Sequence, residues 1–429
     1  MWGAATSSTQ IEGAYDEDGK CLSVWDVATE KQIENGENCH VACDHYHRYK
    51  EDIALMKELG LKSYRFSVNW CRIFPEEGKV NQKGLDFYLD LVRELKAAGI
   101  EPLCTLYHWD LPVWVQERGG WKNRKIADWF AEYVKTVVEA LSEHVVYWFT
   151  LNEPQIFVLL GYVAGSHAPF KHNFMSIKKL TQNTLLAHWR AVNTIRLYAK
   201  QSPKIGIATA SSCYVPHDET SAEIERARKK TFEEMAGLSN NRWWLDPILA
   251  KKSSRFFGTT RISQKFVNDY YAPIDFIGIN VYQPYNYEGY GRNSDPLPKD
   301  TEKTMLNWVV DGRCLYWVTR FVYERYGLPV LISENGMAAR DTVSEDDAVH
   351  DVQRVGFLKK YLSHLKRAVD EGLPVFGYQH WSLLDNFEWG GGYSPRFGLI
   401  HVDYKTQKRT MKDSAKYYAE IIRTNGENL

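Results

Sequence analysis

The feature that most constrains the fold of this chain is the alternation of short apolar segments with longer amphipathic ones. Eight short segments have the length and the β-branched or aromatic content of buried strands. They are residues 2–7, 63–68, 101–107, 146–151, 204–210, 275–281, 329–333 and 374–383. Strands that alternate with helices predict parallel βαβ units, and eight such units close into a (β/α)8 TIM barrel, an α/β fold.

The segments between these strands carry apolar residues at helical spacing. In residues 84–100, for example, Leu85, Leu89, Val92 and Leu95 fall on one helical face, and a glycine ends the pattern. The chain has no low-complexity linker, and its 429 residues suffice for one large barrel. We therefore expect residues 1–429 to form a single barrel domain with enlarged βα loops, the largest at residues 216–265 and 283–308.

Two of the predicted strands lead directly into acidic residues. Residues 146–151 run into Asn152, Glu153 and Pro154, and residues 329–333 run into Glu334 and Asn335. In a parallel barrel the carboxyl ends of all strands meet at one face, where the chemistry is found. We therefore expect Glu153 and Glu334 to face each other across the mouth of the barrel.

Two opposed carboxyl groups suit the hydrolysis of a glycosidic bond, in which one protonates the leaving oxygen and the other attacks or activates water. A separation of about 5–5.5 Å retains the anomeric configuration and a wider one inverts it, so the sequence leaves this choice open. For an arbitrary glutamate, a structural ion pair is far commoner. The coincidence of two glutamates at strand ends, each beside an asparagine, favours the catalytic interpretation.

Charge and composition exclude other classes of function. The chain carries 53 Lys and Arg against 54 Asp and Glu, which is not the footprint of a nucleic-acid-binding protein or of one that binds an anionic membrane. The longest apolar run, residues 156–165, is too short to span a bilayer. Seven cysteines without paired spacing do not indicate a disulfide framework. No signal peptide is visible, so we expect a cytoplasmic protein, provided that no further residues precede this N-terminus.

A set of motifs in the chain resembles glycoside hydrolase family 1, the β-glucosidase and β-galactosidase family. They are WGAATSSTQIEGA, YRFSVNWCRIFP, YHWDLP, TLNEP, DFIGINVY, ISENG and WSLLDNFEWGGGYSPRFGLIHVDY, in the order of the family. The resemblance extends from residue 2 to about residue 418. It implies a (β/α)8 barrel and a retaining mechanism.

The resemblance also implies roles for individual residues around the reacting bond. Glu153 resembles the general acid/base of the family and Glu334 its nucleophile. Arg65 resembles the cation that keeps Glu334 ionised, and Tyr282 resembles the hydroxyl donor that orients it. Asn152 resembles the residue that holds the sugar 2-hydroxyl, where a hydrogen bond strengthens in the transition state.

A second group of residues resembles the sugar pocket of the family. The resemblance implies that Gln10, His108, Glu388 and Trp389 form a hydrogen-bonding wall and that Trp381 is a stacking platform. It places Trp109 and Asn280 beside them. Trp308 resembles an aromatic residue on the aglycone side. A sugar hydroxyl both donates and accepts, which is why amide, imidazole and carboxyl groups suit such a wall.

No cofactor or metal is implied. The segment NCHVACDHYHRY places cysteines and histidines at short spacing, which could ligate zinc. In the family this segment packs at the helix after the first strand, so a structural role is favoured. The chain also lacks a glycine-rich phosphate loop.

These residues favour a retaining exo-β-glycosidase that acts on a small-molecule β-glycoside or oligosaccharide. We expect unphosphorylated β-D-glucosides as substrates, with β-fucosides and β-galactosides as secondary ones, because Glu388 stands where 6-phospho-β-glycosidases carry a phosphate-binding set. A catalytically idle sugar-binding barrel and a transglycosylase are the alternatives. The sequence does not indicate an oligomeric state.

The chain departs from the family pattern mainly around the expected mouth of the barrel. Residues 243–274 differ from it, and Asn307 and Gly312 replace a glycine and a proline that are usual in the family. These differences affect the expected aglycone preference and not the expected reaction.

Overall fold

A computed structural model of the protein describes residues 1–234, 237–256, 260–285 and 300–429. Eight parallel strands form a closed barrel in which each strand pairs with its neighbours in sequence and the last pairs with the first. They are β1 (Trp2–Ala5), β2 (Ser63–Ser67), β3 (Glu101–Thr105), β4 (Tyr147–Asn152), β5 (Lys204–Ala210), β6 (Phe276–Asn280), β7 (Val330–Asn335) and β8 (Val375–Trp381). The predicted (β/α)8 barrel is confirmed. Parts of the two predicted large loops, at 235–236, 257–259 and 286–299, lie outside the described residues.

Helices connect the strands. The longer ones are His45–Glu58, Gln82–Ala97, Ile126–Leu141, Ile177–Tyr198, Ser221–Lys229, Asn241–Leu249, Arg313–Tyr326, Val352–Asp370 and Asp413–Arg423. Shorter helices are Ser8–Ile11, Trp70–Ile73, Val113–Glu117, Pro154–Ile156 and Gln264–Tyr270, with π-helical turns at Phe157–Ala164 and Lys230–Glu234. Single 3-10 turns are Glu34–Gly36, Gly120–Lys122, Phe174–Ser176, Gly237–Ser239 and Trp389–Gly391. Two antiparallel pairs, Ser254–Phe256 with Thr260–Ile262 and Ile400–Val402 with Arg409–Met411, complete the described elements.

The helix Gln82–Ala97 shows how amphipathic spacing packs the outer layer. Of the predicted apolar face, Leu85, Val92 and Leu95 are buried, whereas Leu89 is only half-buried. The buried face is wider than predicted and includes Tyr88, whose hydroxyl donates to a carboxylate of the first βα loop.

The amino-terminal halves of the strands fill the barrel interior with apolar side chains. Leu103, Phe149, Ala208, Phe276 and Leu331 form one buried cluster. The polar side chains of Asn152, Asn280 and Glu334 lie further along these strands, beyond the apolar cluster.

The end of β7 differs from the prediction. The strand was expected to end at residue 333, but it continues to Asn335, so Glu334 lies within it. The register between β6 and β7 shifts so that Asn280 pairs with Glu334, and the Val281 N–H donates to the Glu334 carbonyl oxygen at 2.9 Å. Gly336 follows, where an added Cβ would lie 1.7 Å from the Trp381 carbonyl oxygen. Only glycine therefore lets β7 approach β8 this closely.

A buried ionic network ties together the loops that follow β7 and β8. Lys412 contacts Asp341 and Asp385, each at 2.6 Å, and Arg396 contacts Asp385 at 2.7 Å. Arg354 contacts Asp341 at 2.8 Å and also pairs with Asp351. Removing one partner of a buried pair typically costs about 3–5 kcal/mol, because it leaves a charge without compensation. The network therefore fixes the loop between Trp381 and Trp389.

The longest apolar run of the sequence folds locally. Residues 156–165 form the end of a short helix and the π-helical turn Phe157–Ala164. Across the part of the chain that the structure describes, no helix is both long enough and apolar enough to cross a membrane.

Candidate active site

The ends of β4 and β7 place two glutamates in one cavity at the mouth of the barrel. Glu153 follows β4 directly, and Glu334 lies one residue before the end of β7. Both line a cavity of about 550 Å³, and only 7% of Glu153 and 3% of Glu334 is exposed. Two acidic side chains are thus shielded from bulk water, where their ionisation depends on the groups around them.

Glu334 is surrounded by groups that stabilise a negative charge. The Arg65 Nη1 donates to its Oε1 at 2.6 Å, and the Tyr282 hydroxyl donates to its Oε2 at 2.7 Å. Arg65 is itself fully buried, with its guanidinium 4.7 Å from the centre of the Phe149 ring. The cation is therefore held in place and cannot be replaced by solvent.

Glu153 has a different environment. Its Oε1 accepts one hydrogen bond, from the Asn280 Nδ2 at 2.9 Å, and among the described residues it has no ion pair. Burial raises the pKa of Glu153 to about 8, and the negative charge of Glu334 contributes to this rise. Glu153 therefore holds its proton through neutral pH.

The carboxyl groups of Glu153 and Glu334 differ in how readily they ionise. Burial also raises the pKa of Glu334, but Arg65 and Tyr282 oppose this rise. Because only Glu334 has a cation against it, Glu334 is the first of the pair to ionise and Glu153 is the one that retains the proton. The proton of the pair therefore lies on Glu153 and the first negative charge on Glu334.

Asn152 connects these groups to the neighbouring strands. Its Oδ1 accepts from the Arg65 Nη2 at 2.7 Å and from the Asn280 Nδ2 at 3.1 Å. Its Nδ2 lies 3.0 Å from the His108 Nε2. Burial lowers the pKa of His108 well below its usual value, with Arg65 adding to the effect, so the imidazole is neutral and accepts from the amide. The hydrogen bonds therefore leave Asn152 a single orientation.

A third carboxyl group, Glu388, lies in the same cavity. The Gln10 Nε2 donates to it at 3.2 Å and also donates to the Asn386 Oδ1 and the Phe387 carbonyl oxygen, each at 2.9 Å. Burial, together with the charge of Glu334, raises the pKa of Glu388 to about 8. The Glu388 carboxyl group is consequently neutral at pH 7 and can both donate and accept hydrogen bonds.

Indole rings frame the cavity. The Trp389 ring lies 4.6 Å from that of Trp109, and the His108 ring stacks at 5.8 Å on that of Trp381. The Trp308 ring lies 5.2 Å from the Tyr282 ring. Aromatic faces of this kind suit a flat, partly apolar ligand.

Backbone strain is concentrated here. Glu153, Trp109 and Trp389 have φ angles of 45°, 75° and 50°, in the left-handed region that non-glycine residues seldom adopt. Such strain persists only where surrounding contacts impose it, and it is common at functional sites. The surrounding contacts therefore hold three side chains of the cavity in fixed directions.

The structure brings together the residues selected from the sequence. Those that line the cavity are Asn152, Glu153, His108, Trp109, Asn280, Tyr282, Trp308, Glu334, Trp381, Glu388 and Trp389. Gln10 and Arg65 do not line it but stand directly behind Glu388 and Glu334.

Sequence reasoning missed several polar residues of the outer cavity. Ser211 and Ser212 follow the end of β5, and Gln283 follows Tyr282 after β6. The signal was available, because these positions obey the same strand-end rule that selected Glu153. They were passed over because serine and glutamine at a strand end do not by themselves indicate a particular chemistry.

The cysteine- and histidine-rich segment packs as separate pairs. The Cys39 thiol donates to Asp26 at 3.4 Å, the His45 Nδ1 lies 2.7 Å from Asp52, and the His47 Nδ1 lies 2.6 Å from Asp44. Within the described residues, no three His, Cys, Asp or Glu side chains are grouped so that they could hold a metal ion.

Comparisons with known proteins agree on one family. A sequence model of the family described as "Glycosyl hydrolase family 1" matches residues 1–427. The chain is 42% identical to "Beta-glucosidase A" of Acetivibrio thermocellus, over 99% of this chain and 98% of the relative. It is 41% identical to "Beta-glucosidase A" of Thermotoga maritima, over 99% and 97%. The solved structure "Beta-glucosidase from Thermotoga maritima in complex with deoxynojirimycin" superposes with a TM-score of 0.90 and 39% identity, covering 99% of this chain and 98% of that one.

The buried carboxyl of Glu153 makes folding stability depend on pH. In the folded chain its pKa is about 8, against 4.5 for an ordinary glutamate. Between these values the folded chain keeps a proton that the unfolded chain releases, so this group lowers the free energy of unfolding as pH rises through the window. We expect Glu153→Gln, which removes the titration, to be more stable than the parent by about 2–4 kcal/mol at pH 9 and equally stable at pH 4.

Urea unfolding at both pH values measures this difference. Glu345→Gln is the matched control, because it makes the same change of side chain at an exposed position. A Glu153→Gln variant with the same pH dependence as the parent would show that Glu153 does not hold a proton in the folded state.

Proposed function

Because this chain belongs to glycosyl hydrolase family 1, a family of retaining glycosidases, we propose that it hydrolyses unphosphorylated β-D-glucosides through a covalent glycosyl-enzyme intermediate. The chain is a glycoside hydrolase, and β-fucosides and β-galactosides are proposed as secondary substrates. The observation that carries the proposal is the pair of buried glutamates, one beside a cation and one holding a proton.

Glu334 is the proposed nucleophile and Glu153 the proposed general acid/base. The Glu334 carboxylate attacks the anomeric carbon while the bond from that carbon to the leaving oxygen breaks and Glu153 transfers its proton to that oxygen. Forming the ester removes the charge of Glu334, which lowers the pKa of Glu153. Glu153 can then accept a proton from the water that hydrolyses the ester.

Three neighbours are proposed to support this exchange. Arg65 and Tyr282 keep Glu334 ionised and oriented, since each donates to a different oxygen of its carboxylate. Asn152 is proposed to hold the sugar 2-hydroxyl, a hydrogen bond that gains strength as charge develops at the anomeric carbon.

The remaining residues are proposed to bind the sugars. The wall of Gln10, His108, Trp109, Asn280, Glu388 and Trp389, with the Trp381 indole as a platform, would hold the non-reducing glucose. Trp308, whose indole lies 5.2 Å from the Tyr282 ring, is proposed to contact the leaving group. The exo action we propose rests on this arrangement, in which one sugar fills the inner cavity and the leaving group faces outward.

The relatives support a small-molecule glycoside as the substrate. The Thermotoga maritima enzyme was solved with deoxynojirimycin, a sugar-like inhibitor, and the two chains share their fold along nearly their whole length. A cavity of about 550 Å³ is large enough to enclose a monosaccharide and to contact its leaving group.

We also propose that the chain forms one catalytic domain and is located in the cytoplasm. The described elements of the barrel extend from residue 2 to residue 423, which supports one catalytic domain over residues 1–429. All seven cysteines are free thiols, which supports a reducing, cytoplasmic location. Two separate unfolding transitions would contradict the single domain, and disulfide-linked cysteines in protein isolated from its source would contradict the location.

We expect Glu334→Ala to lower turnover of 4-nitrophenyl β-D-glucoside by at least about a thousandfold, because the variant lacks the carboxylate that would form the glycosyl ester. Release of nitrophenolate measures this, with Glu345→Gln as a control that should retain full activity. A parent protein without turnover would favour the idle sugar-binding barrel instead, and an active Glu334→Ala variant would exclude the assigned nucleophile.

The basic limb of the pH profile should belong to Glu153. We expect kcat/KM of the parent to fall as pH rises through about 8, where Glu153 loses its proton. Glu153→Gln should lower kcat/KM for an alkyl glucoside by about 10²–10⁴-fold, and much less for a dinitrophenyl glucoside, whose leaving group needs no proton. With the alkyl glucoside the limb should be present in the parent and absent from the variant. Its persistence would assign the limb to another group.

A substrate phosphorylated at the 6-hydroxyl should be rejected. Among the described residues, Glu388 pairs with the neutral Gln10 and with no cation, so a buried phosphate would remain uncompensated. We expect kcat/KM for 4-nitrophenyl β-D-glucoside 6-phosphate to be at least about 100-fold lower than for the free glucoside, with a ratio that widens above pH 8 as Glu388 ionises. Equal or better turnover of the phosphorylated substrate would identify a 6-phospho-β-glucosidase.

A further inference from the structure

The cavity continues outward beyond the two glutamates into a region of mixed character. Its lining includes the apolar side chains of Trp308 and Leu306 and the polar side chains of Ser211, Ser212 and Gln283. This outer region is where the leaving group of a glucoside would lie once the glucose occupies the inner part. An aryl group would need only the apolar side chains of such a region.

Gln283 is fixed at both of its carbonyl oxygens. Its Oε1 accepts from the Val309 N–H at 3.1 Å, and its main-chain oxygen accepts from the Ser212 hydroxyl at 2.9 Å. The preceding residue, Tyr282, is held between the Tyr361 hydroxyl at 2.8 Å and Glu334 at 2.7 Å. Gln283 therefore has little freedom, although its side chain is only half-buried.

The amide nitrogen of Gln283 is available to donate a hydrogen bond to a ligand. In the part of the chain that the structure describes, its Nε2 has no hydrogen-bond acceptor, while the Oε1 is taken by Val309. The Ser212 hydroxyl beside it donates inward and keeps its lone pairs available as acceptors. A donor and an acceptor thus stand side by side in the cavity lining, and the bond to Val309 ties them to the segment that carries the Trp308 indole.

We propose that Gln283 is a specificity-determining residue that selects a hydroxylated leaving group, above all a second sugar. The sugar ring would stack on Trp308, and its hydroxyl or ring oxygen would accept from the Gln283 Nε2. A sugar hydroxyl can also donate to Ser212, so it satisfies both groups at once. The proposal rests on the glucosidase function proposed above and defines the leaving-group class that this chain prefers.

Two substitutions separate donation by Gln283 from its hold on the neighbouring backbone. Gln283→Glu keeps an oxygen for the Val309 N–H and loses the two amide N–H donors. Gln283→Met has a similar length and loses both functions. The substrates are a β-linked glucosyl-glucose disaccharide and 4-nitrophenyl β-D-glucoside, which share the glucose and differ in the leaving group.

We expect kcat/KM for the disaccharide to fall about tenfold in both variants, since each loses one hydrogen bond and leaves a ligand oxygen unpaired. The value for the nitrophenyl glucoside should stay within about twofold of the parent, which also shows that the variants are folded. As a second readout, capture of the glycosyl intermediate by added glucose, relative to capture by methanol, should decrease in both variants.

Other outcomes overturn the proposal. Loss confined to Gln283→Met would mean that Gln283 acts only by positioning Val309 and Trp308. Equal loss on both substrates, or no loss on either, would exclude selection of the leaving group. A parent active on the nitrophenyl glucoside but not on the disaccharide would refute this proposal and leave the proposed function standing, whereas a parent inactive on both would refute both.

Discussion

The contact between Arg65 and Glu334 is the interaction on which the site depends. Three carboxyl groups, Glu153, Glu334 and Glu388, share one cavity, and among the described residues they form a single ion pair. A buried carboxylate without compensation is costly, so the position of the one cation decides which group carries the charge. Moving that cation by a few ångströms would redistribute the protons among all three.

The barrel makes this arrangement possible because its strands act as rigid supports. Arg65 lies on β2, Asn152 on β4, Asn280 on β6 and Glu334 on β7, so each functional group stands on a different strand. The hydrogen bonds among them cross the barrel and close a network that no single loop could build. Preorganisation of this kind reduces the rearrangement that a reaction requires.

Sequence patterns were sufficient to predict the barrel, because strand and helix periodicities reflect local burial. They were less accurate at strand ends, where bonds to neighbours decide the boundary. Glu334 belongs to β7 because the Val281 N–H reaches its carbonyl oxygen, and a pattern within one segment cannot reveal that partner. The carboxyl pair was predictable from its strand-end positions. The orientation of Gln283 was not, because it depends on hydrogen bonds from Val309 and Ser212, which lie far from it in sequence. The proton on Glu153 likewise depends on distances that no motif contains.

The ionic network behind the loop from Trp381 to Trp389 has a further consequence. It unites three cations, Lys412, Arg354 and Arg396, with three anions, Asp341, Asp351 and Asp385, so its charges balance. Dissolved ions screen charges that face water but act much less on charges enclosed by protein. The loop that presents Trp381, Glu388 and Trp389 is thus anchored by ion pairs that dissolved salt weakens little, while pairs on the outer helices lose strength as ionic strength increases.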